Sequence, residues 1–421
     1  MVLRRLTNSR FVRQLGWSFS SRLVAAVLQL VVVVLLARGL AVVDFAKIAS
    51  ANAVMLSVVA LNGFGLMRQT QYKRSVDPDD PDLPAIFAVW QRFTTTSAVL
   101  WLLGCGALYL LTDDVLFAQL APISPWLVFE QQTTLWNAIS IVDGRAHEIM
   151  TSYLWRRVPV VLALAVALAV DLDVAWTWSI SLAAGSALAY VAGVRRAVPW
   201  SRRVLPGRRP PGKVTFDFSY WWSEVGAQVR DLDVVAITLV SAATGGAYAL
   251  PARLVRPMNI ITMATTSVAF PRIARMKVVT QRQLVLGSLV ATAPVAVVAA
   301  AVGLLAGELP RLVGDEYAHA IPVLRILCAL AVVVGLGALL VTFLQARSRE
   351  ANRFSGRFII LIAVVQVAGA AVATYVGDAE TAAWTVLGVS TAGVLAIYLR
   401  ALKECGVERT DPVPVGATDG Q

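Results

Sequence analysis

Apolar residues run along this chain in long stretches that polar residues interrupt only at intervals. Stretches of about 18 to 25 residues recur from one end to the other, and each could cross roughly 30 Å of hydrocarbon as a helix. Helices satisfy their own backbone hydrogen bonds in lipid, whereas short alternating strands would need a closed barrel. The pattern therefore predicts an all-α polytopic membrane protein with about twelve transmembrane helices. Their predicted ranges are 16–37, 45–66, 85–111, 122–142, 152–170, 174–194, 218–241, 246–270, 284–305, 322–345, 358–376 and 381–399.

The composition agrees with a membrane protein and argues against a soluble one. Of the 421 residues, 57% are hydrophobic and 15% are charged, whereas about 25% of residues are charged in a soluble domain. The net charge of +11 would indicate nucleic acid in a soluble protein, but here the basic residues cluster in the links between apolar stretches. We therefore expect a lipid bilayer, and no nucleic acid, as a partner. Three cysteines and two histidines predict neither a disulfide framework nor a metal site.

The basic residues also orient the chain in the membrane. Every second link, starting from the N-terminus, is rich in Lys and Arg, whereas the other links hold only Arg38, Lys47 and Arg311. The positive-inside rule then places both termini in the cytoplasm. We expect the protein to lie in the plasma (inner) membrane. This count assigns Arg156 and Arg157 to the cytoplasmic link before the fifth helix.

The longest cytoplasmic link, RRAVPWSRRVLPGRRPPGK, divides the chain almost in the middle. It predicts an N-terminal lobe of helices one to six at 1–199, a basic linker at 200–216, a C-terminal lobe of helices seven to twelve at 217–403 and a cytoplasmic tail at 404–421. The linker nearly matches a phosphate-binding loop, but Val214 stands where the magnesium-binding hydroxyl is required. We therefore expect no nucleotide and no other cofactor.

Four charged residues lie within the predicted seventh helix: Glu224, Arg230, Asp231 and Asp233. A charge at the centre of a bilayer costs about 2.5 to 3.5 kcal/mol, so such residues usually face the interior of a bundle or a water-filled cavity. On a helical period Glu224 and Asp231 share one face, and Arg230 can pair with Asp233. One interpretation is an internally paired helix that fixes packing; the other is a cavity-lining helix whose acids couple to a bound charge.

Several segments, in their order along the chain, resemble the polysaccharide flippases (Wzx-like) of the multidrug/oligosaccharidyl-lipid/polysaccharide exporter superfamily. They are LLARGLAVVDFAKIAS at 35–50, GGAYALPARLVRPMNIITMATTSVAFPRIAR at 245–275, RLVGDEYAHAIPVLRILCAL at 311–330 and LQARSREANRF at 344–354. Ala41 and Val42 depart from the family pattern, in which a Gly-Pro is usual. The resemblance implies two six-helix lobes around a central cavity. It also implies a substrate, a polyprenyl-diphosphate-linked oligosaccharide moved from the cytoplasmic to the outer leaflet, with no covalent chemistry and therefore no enzymatic activity.

In this family helices one, two, seven and eight line the cavity, and the resemblance makes the arginines there candidate ligands. A guanidinium group stays protonated and binds phosphate oxygens through a planar fork. We therefore predict that Arg22, Arg253 and Arg256 hold the diphosphate, with Arg230 as a further candidate; the alternative is that these arginines extend to the membrane surface. Pro257 directly follows Arg256 and predicts a kink in the eighth helix.

Three other charged residues within predicted helices have less certain roles. Arg92 and Glu130, on helices three and four, are candidates either for sugar contacts or for a structural ion pair. Arg325 lies close to the start of the tenth helix and is expected to extend to the membrane surface.

Other functions remain open at this point. A multidrug and toxin extrusion antiporter of the same superfamily would favour an acid-lined cavity, which Glu224, Asp231 and Asp233 could form. A membrane polysaccharide polymerase or ligase would usually carry a larger outer loop than this chain has. Polymerase and glycosyltransferase proteins are candidate partners of a flippase. In the absence of an ATP site, protonation of Glu224, Asp231 or Asp233 is a candidate source of coupling.

Overall fold

A computed structural model shows the three-dimensional structure of the chain. It describes residues 9–77, 80–143, 145, 147–204, 214, 218–259, 261–262, 266, 273, 276 and 278–407, and every regular element within these ranges is helical. The chain divides into two compact units. Unit 1 comprises Met1–Gly39 and Val58–Phe218, and unit 2 comprises Leu40–Ser57 and Ser219–Gln421.

Unit 1 contains seven complete helices within its described residues. They are α1 (Ser9–Gly39), α3 (Leu66–Val76), α4 (Leu83–Thr112), α5 (Val115–Leu120), α6 (Ser124–Val142), α7 (His147–Ala169) and α8 (Val174–Val204). Helix α2 (Val42–Leu61) belongs to unit 2 up to Ser57.

Unit 2 contains, besides most of α2, eight helices within the part of it that is described. They are α9 (Phe218–Val229), α10 (Asp233–Val240), α11 (Ala242–Val255), α12 (Gln281–Leu304), α13 (Leu309–Val313), α14 (Ala320–Arg347), α15 (Arg349–Val376) and α16 (Ala379–Glu404). Short 3₁₀ turns separate α9 from α10 and follow α11, at Arg230–Leu232 and Arg256–Met258.

Nine of the twelve predicted spans are long and apolar enough, over the residues that the structure describes, to cross a membrane. The other three predicted spans, at 122–142, 218–241 and 246–270, are not single apolar helices of this length within the described residues. Helix α6 carries Glu130, Gln131 and Gln132 in its middle, α9 and α10 are separated by a 3₁₀ turn, and α11 ends at Val255. The α-helix ends just before Pro257, as expected for a residue without a backbone donor.

Side-chain caps explain where several helices begin. The Asp378 carboxylate accepts hydrogen bonds from the backbone N–H and the hydroxyl of Thr381, at 2.8 and 2.9 Å, and these bonds lower the pKa of Asp378. Ser348 caps α15 in the same way, and Thr280 forms a capping box with Gln283 at the start of α12. Each cap satisfies backbone donors that the first helical turn leaves unpaired.

The core of unit 1 includes a cluster of large apolar and aromatic side chains at the end where α3 meets α4 and α6. Arg74 of α3 donates two hydrogen bonds of 3.0 Å to the carboxylate of Asp143, just after α6. This paired geometry attaches the short polar helix α3 to the longer helices. The buried members of the cluster are Leu66, Leu83, Ile86, Phe87, Trp90, Leu135, Trp136 and Ile139.

Arg347 connects three segments at one end of unit 2. Its side chain is buried, and it donates hydrogen bonds to the carbonyl oxygens of Met276, at 3.1 Å, and Val407, at 2.5 Å. The end of α14 is thereby joined to the segment before α12 and to the segment after α16.

Replacing Arg347 by glutamine should therefore destabilise unit 2. We expect a loss of roughly 3 kcal/mol, because hydrogen bonds from a charged donor are lost and buried carbonyl groups lose their partner. Thermal unfolding in detergent measures this change, with Arg353→Gln as the control, since Arg353 is exposed on α15. Equal unfolding temperatures for the two variants would show that Arg347 does not hold these segments together.

Candidate functional site

A group of five charged residues, here called the unit 2 cluster, lies where α9, α10 and α11 meet. Its members are Arg230, Asp231, Asp233, Arg253 and Arg256. The 3₁₀ turn at Arg230–Leu232 interrupts the predicted seventh helix at these charges. A 3₁₀ turn has a shorter period than an α-helix, so the regular spacing assumed for that helix does not apply here. The side chain of Glu224 lies outside the described residues.

Asp233 is the most deeply buried carboxylate of the cluster, with 5% of its surface exposed. Its Oδ2 accepts hydrogen bonds from the hydroxyl of Tyr248, at 2.8 Å, and from Nε2 of Gln366, at 3.3 Å. The amide oxygen of Gln366 accepts in turn from the hydroxyl of Ser390, at 3.1 Å. Residues of α10, α11, α15 and α16 thus form one buried polar network around this carboxylate.

Arg256 pairs with both aspartates of the cluster. Its Nη2 lies 3.1 Å from Oδ1 of Asp231 and 3.7 Å from Oδ1 of Asp233. Its Nη1 is buried and has no hydrogen-bond partner among the described residues. The ion pair that the sequence suggested between Arg230 and Asp233 is replaced by these contacts from the 3₁₀ turn after α11. Arg256 therefore contacts two carboxylates through one nitrogen, while the donors of its buried Nη1 have no partner among the described residues.

Arg253 fixes α2 against α11. Only 8% of its surface is exposed, and its Nη2 donates a hydrogen bond of 2.5 Å to the carbonyl oxygen of Ala49. Its guanidinium also interacts electrostatically with Arg256, Asp231 and Asp233. Arg253 thus stabilises packing within unit 2 and adds a positive charge to the cluster.

The unit 2 cluster has more cationic than anionic groups. Its three guanidinium groups face two carboxylates, and the electrostatic partners of Arg230 and Arg253 are within the cluster. Nε of Arg230 is buried without a hydrogen-bond partner among the residues described. The arrangement can therefore donate hydrogen bonds to an anionic group and offset its negative charge.

A second group, the unit 1 cluster, consists of Glu130, Arg156 and Arg157. Nη1 of Arg156 lies 2.6 Å from Oε1 of Glu130, and the hydroxyl of Ser186 donates to Oε2 at 3.2 Å. Nη2 of Arg156 donates to Ser152 at 3.0 Å. The placement of both arginines in a link between helices is wrong, because α7 begins at His147 and includes them.

The remaining sequence candidates lie apart from these contacts. Arg22 is half-buried on α1, Arg92 is exposed on α4, and Arg325 is exposed on α14. Glu130 pairs with Arg156 rather than with Arg92. Within the described residues, no group of three or more histidine, cysteine or acidic side chains could hold a metal ion.

Sequence reasoning missed several residues of the two networks, among them Arg156, Tyr248, Gln366 and Ser390. Gln366 had a detectable signal, since it is a single amide within the apolar run FIILIAVVQVAGAAV. Arg156 also had one, because it lies inside the predicted fifth helix. Tyr248 and Ser390 are ordinary residues of membrane helices, and nothing in their local sequence marks them.

No protein-family model and no curated protein matches the sequence, but solved structures match the fold. An inward-facing multidrug resistance MATE family transporter of the MOP superfamily has a TM-score of 0.66 at 12% identity, over 91% of this chain and 97% of that chain. The lipid II flippase MurJ, in an inward closed conformation, has a TM-score of 0.68 at 12% identity, over 91% and 87% of the two chains. The MATE multidrug transporter DinF-BH has a TM-score of 0.66 at 12% identity, over 94% and 96%. The chain is an all-α polytopic membrane protein with the fold of these transporters.

Proposed function

We propose that this protein is a flippase that moves a polyprenyl-diphosphate-linked oligosaccharide from the cytoplasmic to the outer leaflet by alternating access. The observation that carries the proposal is the cationic excess of the unit 2 cluster. Three guanidinium groups against two carboxylates leave a positive charge within a membrane fold, and such a charge is costly unless something offsets it. A diphosphate offsets it, whereas a cationic drug would add to it.

The geometry of Arg256 suits this role. Asp231 and Asp233 engage Nη2, while the buried Nη1 has no partner among the described residues. Charge-assisted hydrogen bonds from arginine to phosphate are among the strong ones. In this proposal the diphosphate bonds Nη1 while the aspartates hold the guanidinium plane in place, and Arg253 adds positive charge to the cluster. Arg22 and Arg230 are further candidate contacts.

The Asp233 network offers a way to couple transport to protons. Protonating Asp233 removes one negative charge beside Arg256 and increases the cationic excess of the cluster. Binding of a proton and of an anionic headgroup then favour each other, and this coupling is reciprocal. Tyr248 and Gln366 hold the carboxylate in position for this exchange.

Transport of a fluorescent prenyl-diphosphate hexose in liposomes tests the proposal. With full-length protein, Arg256→Gln should slow translocation at least about tenfold, because one charge-assisted contact is lost. The double variant Asp231→Asn/Arg256→Gln should remain slow, since removing the aspartate restores the wild-type excess of one positive charge but not the phosphate contact of Arg256. Arg325→Gln, at an exposed arginine of α14, should match the wild type.

Two results would count against this reading. Recovery of transport in the double variant would mean that Arg256 serves only to pair with Asp231.

The second candidate function, multidrug extrusion, is favoured by the buried carboxylate of Asp233 and by the multidrug transporters among the solved neighbours. If liposomes that contain the wild-type protein transport a cationic dye but not the prenyl-diphosphate hexose, multidrug extrusion is established instead.

A further inference from the structure

The unit 1 cluster carries a charge that its own residues do not balance. Both carboxylate oxygens of Glu130 are engaged, one by Arg156 and the other by Ser186. Both Nη atoms of Arg156 are engaged: they bond Glu130 and Ser152, and the guanidinium lies 4.8 Å from the centre of the Tyr153 ring. The single acid is therefore committed to Arg156, and a second arginine follows directly.

That second arginine, Arg157, is half-buried and makes no hydrogen bond or ion pair within the part of the chain that the structure describes. It interacts electrostatically with Glu130 and Arg156, which have opposite charges. A guanidinium group has five N–H donors and no acceptor. Arg157 thus presents a cation with free donors beside a pair that is already neutral.

Arg157 lies within a helix that is long and apolar enough to cross a membrane. It is near the midpoint of the 23-residue helix α7, about three turns from either end. A charge within a membrane-spanning helix is costly and usually faces the interior of a bundle or a water-filled cavity. An anionic ligand at Arg157 would offset that cost.

The backbone beneath Arg157 is closely packed. A Cβ atom at Gly185 of α8 would lie 2.9 Å from the carbonyl oxygen of Arg156 and 3.2 Å from that of Trp155. Helix α8 therefore approaches the α7 backbone directly, and Ser186 reaches Glu130 from the next position. This contact fixes the backbone at Arg156, whose side chain is engaged, whereas the side chain of Arg157 is not engaged by a hydrogen bond among the described residues.

We propose that Arg157 is an anion-binding site for an oxyanion of the transported lipid, separate from the unit 2 cluster. The proposal rests on the flippase function proposed above. The oxyanion belongs either to the diphosphate of the carrier or to the carboxylate of an acidic sugar, since a guanidinium fork binds both. Its role is to hold the substrate within unit 1 during transport.

Binding measurements on full-length protein in phosphatidylcholine vesicles distinguish these sources. The two probes are a short-chain prenyl-diphosphate hexose and the same prenyl diphosphate carrying the matching hexuronic acid. Arg157→Gln should raise the Kd at least about tenfold for both probes if the diphosphate binds, or for the hexuronic acid alone if the carboxylate binds. Arg157→Lys keeps the charge but not the fork, and it should raise the affected Kd by a smaller factor. Arg195→Gln, at an exposed arginine of α8, should change neither value.

Unchanged Kd values for both probes in Arg157→Gln would overturn the proposal, provided that thermal unfolding shows the variant to be folded. If that variant does not fold, unchanged values in Arg157→Lys overturn it equally. A wild-type protein that binds neither probe would refute the flippase function itself, so the two failures are distinguishable.

Discussion

Replacing Arg156 by glutamine should remove most of the stability of unit 1. Only 3% of the Arg156 surface is exposed, and its removal leaves the half-buried carboxylate of Glu130 with Ser186 as its hydrogen-bond partner. Breaking a buried ion pair by removing one partner costs about 3 to 5 kcal/mol, because the remaining charge is uncompensated. Arg157 lies about 100° further round the helix and does not replace both hydrogen bonds. We expect Arg156→Gln to yield little folded protein in detergent.

The double variant Glu130→Gln/Arg156→Gln should recover much of that loss. It removes both charges together, and two neutral amides can hydrogen-bond to each other and to Ser152 and Ser186. Thermal unfolding of the two single variants, the double variant and the wild type gives the coupling energy of the pair. Arg92→Gln, at an exposed arginine of the same unit, should change stability by less than about 0.5 kcal/mol. Additive effects of the two single substitutions would contradict a coupled pair.

Replacing Gly246 by alanine should have an effect of similar size in unit 2. A Cβ atom at this position would lie 2.5 Å from the carbonyl oxygen of Val42 and still closer to its Cγ1 atom. A rotamer change can move the side chain of Val42, but the carbonyl belongs to the backbone of α2 and moves only with that helix. Overpacking of this kind costs about 1 to 3 kcal/mol and sometimes more. The shift would also disturb the hydrogen bond from Arg253 to Ala49, which joins the same two helices.

Gly287→Ala provides the matched control for this prediction. A Cβ atom at Gly287 would meet nothing within 4 Å, so alanine there should be neutral or should stabilise α12 by up to about 1 kcal/mol. Unfolding temperature and yield in detergent compare the two variants. If Gly246→Ala unfolds at the wild-type temperature, α2 and α11 are not held as closely as the structure indicates.

Local patterns were sufficient to predict most of the long helices, but not the short helices α3, α5 and α13 or the 3₁₀ turn at Arg230–Leu232. A long apolar run can be buried in lipid only as a helix, so length and hydropathy locate the spans without tertiary information. The break at Pro257 follows from a missing backbone donor, which is also local. The presence of charges within the seventh helix was visible as well, because such residues are costly in a membrane wherever they point.

The sequence did not reveal which residue each charged side chain contacts. Asp233 contacts Tyr248 and Gln366, which are 15 and 133 positions away, whereas the sequence suggested Arg230 at three positions. Arg156 was counted with a link although it lies inside the predicted fifth helix at 152–170, because a count of basic residues takes no account of helix boundaries. These contacts depend on how helices lie side by side, and a single sequence without known contacts carries no measure of that.

The amino-acid sequence by itself determined that this is a helical membrane protein with charges inside its spans, because the period and length of apolar runs act within one segment. Only the tertiary structure decided that Arg256 holds Asp231 and Asp233, that Arg253 bonds Ala49, and that Arg157 follows an ion pair which is already complete. The physical reason is that charge balance is a property of neighbours in space. A residue's neighbours along the chain fix its place in a helix, but its ion pairs form across helices.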